Sequence, residues 1–113
     1  MKLMTNVTHG TLVHSDWIDS FNDSQKEQII LGDLADLDVT IYGKPCFDAN
    51  QMSEIRYGLL SHVNVELYAN SRYSARRMRT LRRALEKGID VSQCLKESLT
   101  DYQVTEIISK LIW

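Results

Sequence analysis

A repeat of 26 residues runs through most of the chain and limits what it can fold into more than any other feature. At one position of the repeat an apolar or aromatic residue recurs, and the residue after it carries a side-chain oxygen. Asn, Asp, Ser and Thr cap helices by accepting hydrogen bonds from N–H groups of the first turn. The four pairs are Phe21-Asn22, Phe47-Asp48, Tyr73-Ser74 and Leu99-Thr100. Each pair therefore predicts the start of a helix.

The residues three positions after the caps support these helix starts. Gln25, Gln51 and Gln103 each complete a capping box, in which the glutamine side chain accepts a hydrogen bond from the cap residue's own N–H. Arg77 holds the same position in the third unit and cannot accept a hydrogen bond. We therefore expect the reciprocal bond in three of the four units.

Each predicted helix carries an apolar stripe, and the first three also have a small residue beside it, where the fourth has Lys110. Met52, Ile55 and Leu59 show the stripe in the second unit, with the three- and four-residue spacing of one helical face. The small residues at one repeat position are Gly32, Gly58 and Ala84. We predict that they let another helix approach closely.

A turn and a short second element follow each helix. Gly88 suits the left-handed conformation that often ends a helix, and Asp36 and His62 hold the equivalent positions. The next apolar pairs are Val39 with Tyr42, Val65 with Tyr68, and Val91 with Cys94. Their three-residue spacing favours a short helix, although "DVTIY" and "NVELY" also alternate as short strands do.

A helix with one apolar stripe cannot bury that stripe within its own unit, so successive units must stack to share a core. We therefore predict an all-α protein, a short α-solenoid of helix-turn-short-helix repeats with a period of 26. One domain would cover 21–113, in units 21–46, 47–72, 73–98 and a truncated 99–113. Residues 1–20 would form an N-terminal arm or cap, with Trp17 over the first unit.

The composition is that of a folded protein without catalytic or metal motifs. The 113 residues are 43% hydrophobic and 25% charged, an ordinary globular mixture. No apolar run reaches the length of about 18 residues that spans a membrane, and no secretory signal opens the chain. The three histidines lack metal-ligand spacing, and Cys46 and Cys94 are expected to be reduced. We expect a cytoplasmic protein, with no catalysis, cofactor, metal or membrane.

Arginine is concentrated in the third unit, although the net charge of the chain is only −2. Helical periodicity places Arg76, Arg79 and Arg83 outward, with Lys87 beside them. Guanidinium groups on one face can bind carboxylates or phosphates bidentately. The alternative interpretation is a solvated face that pairs with the acidic first unit.

The candidate partner-binding residues combine this basic face with an exposed tyrosine. Tyr57 matches Arg83 in the repeat and should therefore lie on the same outward side. The candidates are Tyr57, Arg72, Arg76, Arg79, Arg83 and Lys87, with the acidic Asp33 and Asp36 as a second face. Ile112 and Trp113 would leave an apolar end, which a homodimer through that end would hide.

The chain resembles a short helical repeat of small proteins from Gram-positive bacteria, their phages and conjugative elements. The resemblance rests on "FDANQMSEIRYGLL", "VNVELYAN" and "KGIDVS", and it covers about residues 21–113. The shared pattern is roughly F-D-x-x-Q-M-x-x-I-R-x-G-L-x-x-G-x-D-V-x-x-Y-A. Some of these proteins look related to tail regions of antirestriction-type proteins. The resemblance implies a mobile-element protein that blocks a host defence nuclease, and it transfers no catalytic residues.

Two hypotheses on function follow. The first is a non-enzymatic protein-binding module of a phage or mobile element that inhibits a host defence nuclease of the CRISPR or restriction type. The alternative is a nucleic-acid-binding accessory or regulatory protein that uses the arginine-rich third unit. An isoelectric point near 5.9 and the confinement of the arginines to one unit favour the first.

Overall fold

The computed structural model describes residues 16–112, which are helical with short connections. Four α-helices of 12 residues each, α1 to α4, span Asp23–Leu34, Ala49–Leu60, Ala75–Glu86 and Asp101–Ile112. Short 3-10 helices span Asp16–Ser20, Val39–Ile41, Val65–Leu67 and Ser92–Cys94. Because residues 16–112 contain no β-strand, the all-α prediction is confirmed and the strand interpretation of the second element is wrong.

The α-helices begin where the caps predict. In all four helices the cap side chain accepts from the backbone N–H three residues later, at 2.8–3.1 Å. The glutamine at that third position accepts from the cap's own N–H in α1, α2 and α4, at 2.8 or 2.9 Å. In α3 Arg77 makes no such bond, as expected. Local hydrogen bonding therefore fixes each helix start.

The first three α-helices end in the same way. The residue after the C-cap is left-handed in each, with φ of 64° at Asp36, 62° at His62 and 78° at Gly88. In α2 the N–H of Val63 donates to the carbonyl of Gly58 at 3.1 Å, and the N–H of His62 donates to that of Leu59 at 3.2 Å. These are the two bonds of a Schellman motif. His62 therefore has the helix-ending role that the repeat predicts.

Successive α-helices lie side by side and run in the same direction. Glu54 in the middle of α2 meets Arg79 and Arg82 of α3, and Ser61 just after α2 meets Glu86 at the end of α3. The 3-10 helix and linker after each α-helix must therefore bring the chain back to the level at which the next helix begins. The core lies between the α-helices and these returning segments.

A buried tyrosine fastens the 3-10 helix Val65–Leu67 to the α-helix of the same unit, α2. Tyr68 is fully buried, and its hydroxyl donates to the carbonyl oxygen of Glu54 at 2.6 Å. Burial raises the pKa of Tyr68 well above its ordinary value, so the hydroxyl stays protonated and remains a donor. The same arrangement in the first unit involves Tyr42 and Gln28.

Glycine makes room for this tyrosine. A Cβ on Gly58 would lie 2.0 Å from the Tyr68 hydroxyl oxygen, and a Cβ on Gly32 would lie 1.9 Å from that of Tyr42. The small residue therefore admits a tyrosine of the same unit, where the sequence suggested another helix.

The third unit changes both members of this pair. Cys94 replaces the tyrosine and Ala84 replaces the glycine, and both are buried. Burial raises the pKa of the Cys94 thiol, which keeps the thiol protonated and weakly nucleophilic. The Cys94 side chain is shorter than that of tyrosine and leaves space for the methyl group of Ala84.

The capping-box glutamine also joins each unit to the next. Gln51 accepts from the N–H of Asp48 through Oε1 and donates through Nε2 to the carbonyl of Tyr73 at 2.8 Å. Gln25 donates in the same way to the carbonyl of Phe47, also at 2.8 Å. One side chain thus satisfies the start of its own helix and the backbone of the following unit.

Arg77 keeps the second of these two functions. Its guanidinium donates to the carbonyl of Leu99, and its Nε lies 3.1 Å from Asp101 Oδ1. The Arg77 side chain is only 6% exposed. We call the contact between two successive units a junction. At the junction of the third and fourth units, the capping bond of glutamine is absent, and Arg77 makes a charge-assisted bond to α4 in its place.

The 3-10 helix Asp16–Ser20 covers the end of the core that lies at α1. Trp17 meets the ring of Phe21 edge to face, with centroids 5.2 Å apart. The Trp17 ring also lies close to the backbone of Gly43, where a Cβ would come within 2.6 Å of it. Trp17 thus lies over the first unit. The rest of the predicted N-terminal arm, residues 1–15, lies outside the described residues.

We predict that Gly58→Ala lowers the free energy of unfolding by about 1–3 kcal/mol, because the new methyl group meets the Tyr68 hydroxyl. Tyr68→Phe removes that hydroxyl, so the double variant should lose less than the sum of the two single variants. The matched control is Ala84→Gly at the equivalent position, where the helix-propensity difference of about 1 kcal/mol favours alanine. Urea unfolding measures all four variants. A Gly58→Ala protein as stable as the wild type would contradict this account.

Candidate functional site

One side of the four α-helices faces away from the core, and we call it the outer face. Its residues recur at three- and four-residue spacing on each helix and are exposed, apart from the half-buried Ser53. From α1 and α2 it contains Ser24, Glu27, Leu31, Leu34, Asn50, Ser53, Tyr57 and Leu60. From α3 and α4 it contains Arg76, Arg79, Arg83, Glu86, Tyr102, Thr105, Ser109 and Ile112.

Three of the predicted partner-binding residues line one groove between α2 and α3. Tyr57, Arg76 and Arg79 contribute to a cavity of about 500 Å³, together with Asn50 and Ser53. Tyr57 leaves 42% of its surface exposed there. The structure therefore brings the predicted aromatic residue and two of the predicted arginines into a single site.

A buried carboxylate that the sequence did not reveal holds this groove together. The Glu54 side chain is 6% exposed, with Oε2 at 3.3 Å from Arg79 Nε and Oε1 at 3.0 Å from Arg82 Nε. Arg82 also pairs with Glu86 at 2.9 Å, and its side chain is only 13% exposed. Arg82 is therefore structural, while Arg79, at 55% exposure, can pair with Glu54 and still meet a ligand.

Two arginines fix the position of Tyr57. The guanidinium carbons of Arg56 and Arg82 lie 4.7 and 5.4 Å from the centroid of its ring, within the range of cation–π attraction. Arg56 is held in turn by a 3.0 Å hydrogen bond from its Nε to Gln28 Oε1. An aromatic residue that is ordered before binding loses little conformational entropy when a partner covers it.

Arg83 and Lys87 lie at a second groove, between α3 and α4. They line a cavity of about 200 Å³ with Thr80, Ala84, Ile108 and Ile112. All of the predicted basic residues of α3 and its C-cap are exposed, as helical periodicity predicts, but they are divided between two grooves. Within residues 16–112, Arg76, Arg83 and Lys87 have no ion-pair partner within 4.0 Å.

The other predicted site residues lie away from these grooves. Arg72 precedes α3 and pairs with Glu97 at 2.8 Å. Hydrogen bonds from Asn70 and Arg72 hold the pKa of Glu97 below its usual value. Asp36 is exposed at the end of α1, whereas Asp33 is only 9% exposed. Asp33 and Asp36 therefore do not share one exposed acidic face.

The basic face does not pair with the acidic first unit of the same chain. Helix α2 lies between α1 and α3, because the helices pack in chain order. The ion-paired arginines of the third unit contact Glu54, Glu86 and Asp101, and Arg72 just before that unit contacts Glu97. Among the described residues none of these arginines pairs with an acid of the first unit, so that part of the alternative interpretation is wrong, whereas Arg76, Arg79, Arg83 and Lys87 are exposed as on a solvated face.

The described residues contain no grouping of three or more His, Cys, Asp or Glu that could hold a metal ion. His9 and His14 lie outside that range. Both cysteines are free, Cys46 exposed and Cys94 buried. In residues 16–112 no helix is long and apolar enough to cross a membrane.

Comparison with known proteins yields no relative from which a function could be transferred. No family model matches the sequence, and no curated protein or solved structure matches it. The resemblance to the mobile-element repeat therefore stays a prediction.

We predict that Glu54→Gln lowers the free energy of unfolding by about 3 kcal/mol, because the mostly buried Arg82 loses the buried one of its two carboxylate partners. Glu86→Gln is the matched control. It removes a more exposed carboxylate from the same arginine and should cost less than about 1 kcal/mol. Urea unfolding of both variants measures the difference. Equal losses would show that Glu54 has no special part in joining α2 to α3.

Proposed function

We propose that this chain is a non-enzymatic protein-binding module built as a short α-solenoid with a period of 26 residues. Equivalent contacts at successive junctions support this architecture: Arg56 bonds to Gln28 just as Arg82 bonds to Glu54, one unit later. The radius of gyration of 15.2 Å also exceeds the value of about 13 Å for a compact domain of this length. A stack of units accounts for both observations.

The groove between α2 and α3 carries the proposal of protein binding. Tyr57 is held by two arginines and half-exposed, and Arg76 beside it has no ion-pair partner among the described residues. Tyrosine and arginine are the residues most enriched where interfaces gain most of their binding energy. Leu34 and Leu60, exposed by 73% and 45%, extend the face with apolar surface.

The charge of the outer face suits an acidic protein segment better than a nucleic-acid backbone. The available basic residues of the outer face belong to α3, with Lys87 at its C-cap, whereas Glu27 lies on the same face of α1. On α4 the exposed Glu106 lies beside the outer face, where it accepts from the Tyr102 hydroxyl at 3.1 Å. A phosphate backbone that continued past α3 would meet these carboxylates. A short segment with acidic and apolar side chains can end within the groove.

The narrower form of the proposal identifies the partner as a host defence nuclease of the CRISPR or restriction type. The chain would then act as a phage or mobile-element inhibitor in the bacterial cytoplasm. Its support is the resemblance of "FDANQMSEIRYGLL" and "KGIDVS" to repeats of small mobile-element proteins. Pull-down with purified candidate nucleases tests this form directly.

We predict that Arg76→Glu and Arg83→Glu each weaken binding of the captured nuclease at least tenfold, and that Tyr57→Ala weakens it about 30-fold. The charge reversals repel an acidic segment, and the alanine removes the ordered aromatic ring. Calorimetry on the purified pair measures the dissociation constants. The matched control is Arg72→Glu, which reverses an arginine outside the outer face and should leave affinity within about threefold. Unchanged affinity in all three test variants would contradict the site.

The second candidate function is nucleic-acid binding through Arg76, Arg79, Arg83 and Lys87. It is favoured by the exposure of all four on one helix and its C-cap. If it is correct, generic duplex DNA should bind with a log–log salt slope of about −3.6, for four neutralised phosphates. Fluorescence anisotropy across a salt series measures that slope. Absence of binding at low salt would eliminate this function.

A further inference from the structure

The outer face carries opposite charges on α1 and α3, with a neutral strip between them. Glu27 is exposed on α1, and Arg76 and Arg83 are exposed on α3. Within residues 16–112 none of the three has an ion-pair partner within 4.0 Å. Between them α2 presents uncharged residues, among them Tyr57 and Leu60. The two charged helices therefore complement each other and cannot meet within one chain.

Two copies can satisfy this complementarity at once. A two-fold axis lying along α2, in the plane of the outer face, would set α1 of each copy over α3 of the other. Rotation about this axis leaves each residue at the same level along the helices. Residues at equivalent repeat positions on α1 of one copy and α3 of the other would therefore face each other. Glu27 and Arg79 hold equivalent positions, with Arg76 and Arg83 one turn to either side. The face is thus self-complementary in the sense that a two-fold interface requires.

We propose that two copies of this chain associate through their outer faces about such an axis. Glu27 of each copy then lies against the arginines of α3 in the other copy. Tyr57 and Leu60 lie at the axis and meet their own counterparts. This inference concerns self-association and does not depend on the proposed function.

Exposed apolar side chains on the same face support the association. Leu34 is 73% exposed, Leu60 45%, Tyr57 42% and Leu31 39%. These residues come from the second halves of two adjacent helices, so they form a patch of the kind that marks interaction sites. Leu31 faces the level of Arg83 in the second copy, where the arginine methylene groups can cover it.

The size of the face predicts a weak dimer. Three helices about 18 Å long, spaced about 9 Å apart, present roughly 500 Å² per copy. Specific interfaces of standard size bury about 800 Å² per partner. We therefore expect a dissociation constant on the order of 10 µM at low salt, weakening as salt screens the exposed charges.

Sedimentation velocity from about 1 to 500 µM, a range that brackets this constant, tests the proposal. Glu27→Arg alone, or Arg76→Glu with Arg83→Glu in one chain, places like charges opposite each other. Each of these proteins should dimerise at least tenfold more weakly than the wild type. Mixed in equal amounts, the two proteins should form a heterodimer with near wild-type affinity. At one contact of α1 with α3 both charges are exchanged, and at the other both are native, so each contact joins opposite charges.

The mixing step also controls for misfolding, since a misfolded variant would not be rescued by its complement. Arg72→Glu should leave the dimer intact, because Arg72 lies outside the outer face. Trp113→Asp, a change outside the outer face, tests the homodimer expected through the C-terminal end. The proposal is overturned if the wild type is monomeric throughout, if both charge variants still dimerise, or if only Trp113→Asp dissociates the dimer. None of these results would alter the nuclease-binding test, so the two proposals fail separately.

Discussion

The side-chain amide of Gln51 makes the interaction on which the rest of the structure depends. Its oxygen receives the N–H of Asp48, and its nitrogen donates to the carbonyl of Tyr73 in the next unit. A buried polar group left without a partner costs about 1–3 kcal/mol. The glutamine can therefore be buried only when its own helix has started and the next unit is in place. Gln25 couples the first two units in the same way.

This coupling sets the arrangement of the residues on the outer face. The junctions hold successive helices parallel and at the same level. Residues at one repeat position are consequently neighbours across the face, as Leu31, Tyr57 and Arg83 are. The junction positions keep similar chemistry from unit to unit, whereas the outer positions change from apolar to aromatic to basic. The chemistry of the junctions is thus repetitive and that of the outer face is not.

The features that the sequence predicted well are those set by neighbouring residues. Caps such as Asp48 and the left-handed residue His62 depend on hydrogen bonds within a few positions, and both occur where the repeat indicates. The role of Gly58 was not predictable in this way, because it depends on Tyr68 from the following segment. Glu54 was missed because its burial requires the arginines of α3. A strongly charged side chain at a helical position gives no sign of burial until the neighbouring helix is known.

The repeat does indicate the position of Asp33. It occupies the same repeat position as Leu59 and Leu85, which pack against the core. Aligned units therefore place Asp33 on the inner side of α1. A run of acids along one segment suggests a common face, but α1 ends before Asp36, and Asp36 is exposed whereas Asp33 is buried.

The interchangeable junctions have a consequence for how a chain of this kind can evolve. Because Gln25 and Gln51 make the same bond to the backbone of the next unit, loss of residues 47–72 as a block would let Gln25 take the carbonyl of Tyr73. Helix α1 would then become the neighbour of α3, and its acidic side chains would lie beside the arginines. Gain or loss of a whole unit therefore does more than change length. It decides whether the opposite charges cancel within one molecule or remain available to another.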